Sequence, residues 1–492
     1  MKTKSSSLMA IICLSLFIYA GPLLPQTFAL DDVLSAPYPT GLVAAEKTDR
    51  IAWVANDRGV RNIWTAAAPD FQAHKLTDYT EDDGQVLGSL QLTPDGSILV
   101  YVRGGNTNRA GEHANPTSNP KGVEQTIWAV RTAGAQPWKL ASGQSPILSP
   151  DGAEVIFSRK GQFFEIRTAQ KKNGPEETPK PQPLFKTRGR NANPRWSPDG
   201  SRIAFVSRRG DHSFIGVYAI ENKAIHWISP GVDRDTNPVW SPDGKQLAYL
   251  RTPGLKKHEL RNLTGGNPFA IWVANVQTGK AQQIWQSPAD DGGFAQYYPA
   301  APLRWTADNR LLFYSEHENW MHIYSLAADG GALTDLTPGN SEAEHSALSP
   351  DNKFLFFSSN QGDIDRRDIW KVSTENGTPS QVTHGEDIET EPVPLASGQT
   401  IAFRGAGPTR PTAIRIVNSD GSHSKIIFPE NLPKGFPQKL LVTPRQAIFK
   451  AADGWEIHEQ LFLPRNAKAG DKRPALIFMH GGPIRQMLLG WH

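Results

Sequence analysis

Near its carboxyl end the sequence reads RPALIFMHGGP, residues 473–483. Ala475 to Met479 is a short apolar run of the kind that makes a buried strand. His480-Gly481-Gly482-Pro483 is a turn that neither strand nor helix continues through. In many hydrolases such a loop is where catalysis begins to be assembled. A serine nucleophile would also need a strained strand-to-helix turn, written G-x-S-x-G, a base within hydrogen-bond reach and a third group to orient that base. No G-x-S-x-G occurs in the 492 residues.

A second group of chemically capable residues is Glu316-His317-Glu318-Asn319, two carboxylates flanking an imidazole. It admits three readings: a metal site, recognition of a substrate amino terminus by Glu316 and Glu318, or a solvated turn between strands. On a strand the two acids would share a face with His317 on the other. No cofactor is implied, and the sequence favours no metal site. GDIDRRDIW at 362–370 mixes three Asp with two Arg and reads as local ion pairs on an exposed hairpin, each worth roughly 0–1 kcal/mol. The polar stretch at 104–122 reads as a long surface loop that would otherwise line the mouth of a site.

The elements that must position these residues come from an internal repeat. Clear copies are LTPDGSILVYV (92–102), LSPDGAEVIFS (148–158), WSPDGSRIAFVS (196–207) and WSPDGKQLAYL (240–250). WTADNRLLFYS (305–315) and LSPDNKFLFFS (348–358) are worn copies, and EKTDRIAWVA (46–55) and LASGQTIAFR (395–404) are degenerate end members. Asp95, Asp151, Asp199, Asp243, Asp308 and Asp351 mark spacings of 56, 48, 44, 65 and 43 residues.

Each unit makes sense as an antiparallel pair. Pro presets φ for the turn, Asp accepts a backbone hydrogen bond, and Gly tolerates positive φ. A second pair often follows, as in QTIWAVRTAGAQPWKL (125–140) and AIWVANVQTGKAQQIW (270–285). Four short strands per repeat of ~40–50 residues is the blade of a β-propeller. The expected fold is therefore all-β, a seven- or eight-bladed propeller of four-stranded blades, with eight favoured. Trp196, Trp240 and Trp305 hold equivalent repeat positions and are expected to pack between blades.

Composition agrees. Hydrophobic residues are 38%, charged residues 21%, and the 43 Gly and 39 Pro favour many turns. Lys2 and Lys4, an apolar stretch from Leu8 to Ala20 and Thr27-Phe28-Ala29 form an export signal, residues 1–29. Removing it leaves 50 of the 52 basic residues against 49 acidic ones, which argues against nucleic acid as a partner and against a membrane partner after cleavage. Cys13 is the sole cysteine and lies in that segment, so the mature chain has no thiol chemistry. The expected location is the periplasm or the extracellular medium.

The propeller is expected over residues 30–433 and a new domain over 434–492. Alternating strands at Gln446–Lys450 and Glu456–Leu463 flank an Asp453-Gly454 turn, the mark of a hairpin. The repeats and the segment FKAADGWEIHEQLFLP…RPALIFMHGGP resemble the prolyl oligopeptidase family of serine peptidases, including its dipeptidyl-peptidase-like and acylaminoacyl-peptidase-like members. The propeller is also similar to that of TolB-type proteins.

The family resemblance implies that residues 434–492 are the first strands of an α/β-hydrolase domain cut short, and that a Ser-Asp-His triad would lie beyond His492. It implies that His480, Gly481 and Gly482 stand on the oxyanion side of that site, and that the intact enzyme takes peptide substrates. The chain as given is expected to be catalytically silent. The competing expectation is a TolB-like propeller acting alone as a protein-binding scaffold of the cell envelope.

Overall fold

A computed structural model describes residues 28–134, 136–168, 180–254, 266–291, 303–479, 481 and 486–491. The expected export signal lies outside these residues except for 28 and 29. Among the described residues no helix is long and apolar enough to cross a membrane.

The turn of the repeat explains why the blades form. In four copies the serine hydroxyl before the proline donates to the aspartate two residues on, as in Ser149–Asp151 (2.5 Å) and Ser241–Asp243 (2.7 Å). That aspartate also accepts a backbone N–H beyond the glycine, for example from Ser201 to Asp199 at 3.1 Å. The serine oxygen in turn accepts the N–H that opens the next strand, as Arg202 to Ser197 at 2.9 Å. Gly96, Gly152, Gly200 and Gly244 sit at φ between 68° and 73°, and in the worn copies Asn309 (59°) and Asn352 (57°) take that place. Asparagine is among the non-glycine residues that tolerate this conformation best, so the worn repeats keep the turn.

Each turn launches a strand that is buried almost throughout, such as Arg202–Arg208 and Gln246–Thr252. Eight four-stranded antiparallel units result, over residues 38–75, 87–142, 144–185, 190–228, 234–286, 304–335, 343–381 and 388–428. They are blades 1 to 8 in chain order. Every blade is one continuous piece of chain, and a single parallel bridge, Ser213 to Arg234, joins blades 4 and 5 into one sheet.

Eight apolar clusters lie between the blades, one at each junction. The cluster joining blade 8 to blade 1 contains Ile51, Trp53 and Phe71 from one and Leu395, Ile414 and Phe428 from the other. It closes the ring. Trp53 lies 5.6 Å from Phe428, and Trp64 lies 4.7 Å from the same ring. Ser397 N–H donating to Asp49 (2.7 Å) and Arg404 donating to the Tyr38 hydroxyl (2.8 Å) add polar ties across the junction. The propeller thus has eight blades, closed by packing between the first and last and not by a shared strand. The three tryptophans of the repeat fall at junctions as expected: Trp196 against the cluster between blades 3 and 4, Trp240 between 4 and 5, Trp305 between 5 and 6.

At six of the eight junctions the first strands of neighbouring blades touch one another. Seven of the eight first strands carry a positive φ four residues ahead of the turn, at Gly41, Ser89, Ser145, Asn193, Asn237, His345 and Glu391. The eighth equivalent, 302, lies outside the described residues. Register with the second strand shifts near each of these seven positions. A ring of β-bulges therefore surrounds the channel, re-aiming side chains where a regular pleat would alternate them.

Beyond the ring, Arg445–Lys450 and Glu456–Leu461 pair as the expected hairpin, with Gly454 at φ 92° in its turn. The apolar run at 475–479 pairs with no strand among the described residues, contrary to the expectation of a buried strand. Leu476 is 96% exposed and Phe478 79% exposed. A strand forms only against a ladder partner, and no described strand pairs with this run.

Candidate functional site

In every blade the start of the first strand pairs with the end of the second, as in Tyr38–Asn56 and Ile388–Ala406. The turns between second and third strands therefore gather on one face of the ring. That face carries the 104–122 loop (blade 2), Glu316 to Asn319 (blade 6) and the 361–367 turn (blade 7). The carboxyl-terminal segment docks on it.

Asp365, in the turn of blade 7, is the hub. It is 4% exposed. Its Oδ2 accepts from His458 Nδ1 at 3.0 Å and from Gln446 Nε2, both on the hairpin. Its Oδ1 accepts from Gln486 at 3.1 Å, and its backbone carbonyl from Leu489 N–H at 3.0 Å. Arg367 grips both oxygens of Glu344 (3.0 and 3.2 Å) and donates to Gln486 Oε1 at 3.2 Å. Trp491 packs on Phe436 at 5.5 Å, and its N–H reaches the Gly407 carbonyl in the turn of blade 8 at 3.1 Å.

The expectation of simple ion pairs on an exposed hairpin is thereby corrected. Asp363–Arg366 is such a pair, but Asp365, Arg367 and Asp368 are buried and face inward. Sequence reasoning did not find this hub. Its only signal was the odd number of acids and bases in GDIDRRDIW, since its partners Gln446, His458 and Gln486 lie 81 to 121 residues away.

Above the docked segment is a cleft of about 690 Å³ lined by Pro408, Leu441, Phe462, Ile477, Phe478 and Met487 among others. Of the three residues assigned to the oxyanion side, His480 and Gly482 lie outside the described residues. Gly481 is exposed, and a Cβ there would meet nothing within 4 Å.

Glu316 and Glu318 lie beyond the end of the second strand of blade 6, not on it, so they do not share a strand face. Glu318 instead approaches His322 and Asp335, with potential ligand atoms within 4.8 Å of one another. A metal needs a free imidazole lone pair. His322 has none to offer, because Nδ1 faces Asp335 Oδ2 (2.9 Å) and Nε2 faces the Gly339 carbonyl (2.9 Å). An imidazole between two acceptors carries both protons. Burial opposes that charge, but the hydrogen bond and negative charge of Asp335 prevail and lift the His322 pKa above the ordinary histidine value. The cluster is an ion pair between a buried His322 and a half-buried Asp335, with Glu318 exposed beside it.

Ser315, His317 and Asp291 also meet in blade 6. The Ser315 hydroxyl donates to Asp291 (2.5 Å) and lies 2.7 Å from His317 Nδ1. A catalytic triad places the imidazole between serine and acid. Here the hydroxyl is in the middle and its proton goes to the acid, so His317 cannot abstract it. Ser315 is also fully buried.

Burial raises several acids on this side of the ring, Asp235 and Glu342 among them. Burial pushes Glu389 up to about 7 and Asp368 up to about 6. Glu389 lies 3.7 Å from Arg415, and its Oε2 faces no donor.

Comparison with known proteins follows this geometry. Residues 270–400 match the family described as the dipeptidyl peptidase IV (DPP IV) N-terminal region. The fold is similar to dipeptidyl peptidase 4 of Porphyromonas gingivalis, with TM-score 0.63 and 13% identity, over 87% of this chain and 65% of that one. It is also similar to a puromycin-hydrolyzing peptidase of Mycobacterium tuberculosis, with TM-score 0.56 and 16% identity, over 91% of this chain and 62% of that one. Tricorn protease homolog 1 of Streptomyces coelicolor is 23% identical over 227 residues, 44% of this chain and 19% of that protein. The chain thus spans less than two thirds of each of these proteins. Its ring of blades is of the kind found in the dipeptidyl peptidase IV N-terminal region, and the resemblance to the prolyl oligopeptidase family read from the sequence is borne out.

Proposed function

We propose that the chain is the substrate-gating propeller of an exported serine peptidase, together with the entry into its α/β-hydrolase domain. The observation that carries this reading is the docking of the hairpin and residues 486–491 onto the blade 7 turn through Asp365, a built joint between ring and following segment. The match over residues 270–400 and the similarity to peptidase structures support the same reading.

In this reading a Ser-Asp-His triad is supplied by residues outside these 492. The His480 to Gly482 loop turns backbone N–H groups toward the oxyanion, where one such donor is worth roughly 2.7–4 kcal/mol in the transition state. The ring, with its channel mouth facing the triad, admits short or unfolded peptides and refuses folded ones. Residues 1–29 direct export to the periplasm or beyond.

Two measurements test this. The reading frame continued past His492 should encode G-x-S-x-G within roughly the next hundred residues; its absence ends the proposal. A fluorophosphonate probe should label the product of that longer frame and leave the 492-residue chain unlabelled.

A further inference from the structure

Between blades 3 and 4, on the same face as the docked segment, lies a pocket of about 540 Å³. Arg190 and Arg195 reach it from the first strand of blade 4, and Arg208 from the end of the second. Gln144, Ser145 and Asn193 complete the polar lining.

The three guanidinium groups have no carboxylate partner among the described residues. Arg195 meets only the Pro194 carbonyl, at 3.0 Å. Arg190 and Arg208 stand directly opposite in the ladder, a like-charge pairing that costs stability. Partial desolvation by the surrounding protein holds the Arg195 pKa below the ordinary arginine value. Gly161 leaves the space Arg190 occupies: a Cβ there would stand 3.1 Å from Arg190 Cγ.

Three arginines elsewhere on this face are neutralised, Arg367 by Glu344, Arg404 by Glu391 and Arg415 by Asp387. In an eight-membered ring the junction of blades 3 and 4 lies diametrically across the channel from the junction of blades 7 and 8, where the carboxyl-terminal segment docks.

We propose that the pocket formed by Arg190, Arg195 and Arg208 is a carboxylate-binding subsite for a peptide lying across the channel mouth. The carboxylate is that of the peptide's C-terminus or of an acidic side chain near it. Guanidinium forks match carboxylates in shape and charge, and Phe163 and Ile147 add apolar lining to the pocket. The peptide as ligand rests on the proposed function; the anion site itself does not.

The test is equilibrium binding to the 492-residue chain, which needs no catalysis. The probes are a fluorescent hexa-alanine peptide with a free C-terminus, the same peptide as its C-terminal amide, and the amide with glutamate at the penultimate position. Expected are at least tenfold weaker binding of the plain amide and a marked loss of acid binding between 50 and 300 mM salt on the unaltered protein. The double variant Arg190→Gln/Arg208→Gln, which removes the two arginines that face each other in the ladder, should bind acid and amide alike. Recovery of affinity by the glutamate amide assigns the side-chain source, and no recovery assigns the C-terminus.

Equal affinity for the acid, the plain amide and the glutamate amide on the unaltered protein overturns the proposal, as does an acid preference that survives in the folded double variant. Should the longer frame lack a hydrolase while the acid preference stands, the function reading falls and the subsite remains. Should the longer enzyme cleave acid and amide peptides with the same kcat/KM, the subsite falls and the function reading remains.

Discussion

Trp53 and Phe478 are both large aromatic residues in apolar runs, yet one is wholly enclosed and the other is 79% exposed. Trp53 belongs to a strand with a ladder partner on each side and a neighbouring blade packed over its face. Phe478 belongs to a run with neither. The propeller encloses its apolar residues at blade junctions, whereas the carboxyl-terminal segment is held to the ring by a few polar contacts centred on one aspartate. Apolar character alone does not bury a residue; a complementary surface must meet it. The most direct way to sharpen this contrast is to remove matched groups from each region.

The largest effect is expected at ring closure. Trp53→Ala should lower global stability by about 3–5 kcal/mol, since it opens a cavity in the junction that joins blade 8 to blade 1. Trp455→Ala in the exposed hairpin turn should change stability by no more than about 0.5 kcal/mol. Denaturant unfolding of both variants measures the difference. Equal losses would show that the hairpin is as much a part of the core as the ring.

Next in size is the hub. Asp365→Ala leaves Gln446, His458 and Gln486 without their shared acceptor and should cost about 2–4 kcal/mol of local stability. Hydrogen exchange should accelerate over 445–461 while protection in the blades is kept. Uniform loss of protection everywhere would mean that the segment and the ring unfold as one unit.

A third experiment uses pH. Glu389 titrates at about 7 in the folded protein against 4.5 for an ordinary glutamate. The folded state thus holds a proton that the unfolded chain releases, and stability falls as pH rises from 4.5 to 7. Glu389→Gln removes that slope, so the variant should gain roughly 2–3 kcal/mol relative to the parent between pH 4.5 and pH 8. Identical pH profiles would count against the buried acid.

The smallest effect is expected at a repeat turn. Asp199 is lowered to about 2, chiefly by the Ser197 and Ser201 hydrogen bonds, so its contribution is complete above the ordinary value of 3.8 and fades as pH falls toward 2. Asp199→Ala should cost roughly 0.5–1.5 kcal/mol at pH 7 for the lost hydrogen bonds, and clearly less at pH 2. Thermal melts at the two pH values check this.

Much of the fold was legible along the chain because its information is local. Each Ser-Pro-Asp-Gly turn contains its own hydrogen-bond donors and acceptors within five residues, so a repeat can be recognised and counted without knowing what it packs against. The hairpin at 445–461 was legible for the same reason. The ring of bulges also had a signal, in the asparagine, serine or glutamate before proline at 193, 145, 237 and 391, but only coordinates tied it to a positive φ.

The sites were less legible, because they are built from residues far apart in sequence. Glu316 and Glu318 were singled out as a pair two residues apart, and the structure sets an exposed Glu318 beside the His322–Asp335 ion pair instead. Asp365 lay in GDIDRRDIW, which reads locally as surface ion pairs, and the arginines of blade 4 lay in unremarkable polar stretches.

By itself the sequence determined the blade, its four strands, the place where the repeats give way and the family resemblance, since each depends on neighbours along the chain. Only the tertiary structure decided that the count is eight, that blade 8 closes on blade 1, and that one aspartate gathers the carboxyl-terminal segment. Those outcomes depend on which surfaces meet across hundreds of residues, and closure is satisfied only when every junction in the circle is filled.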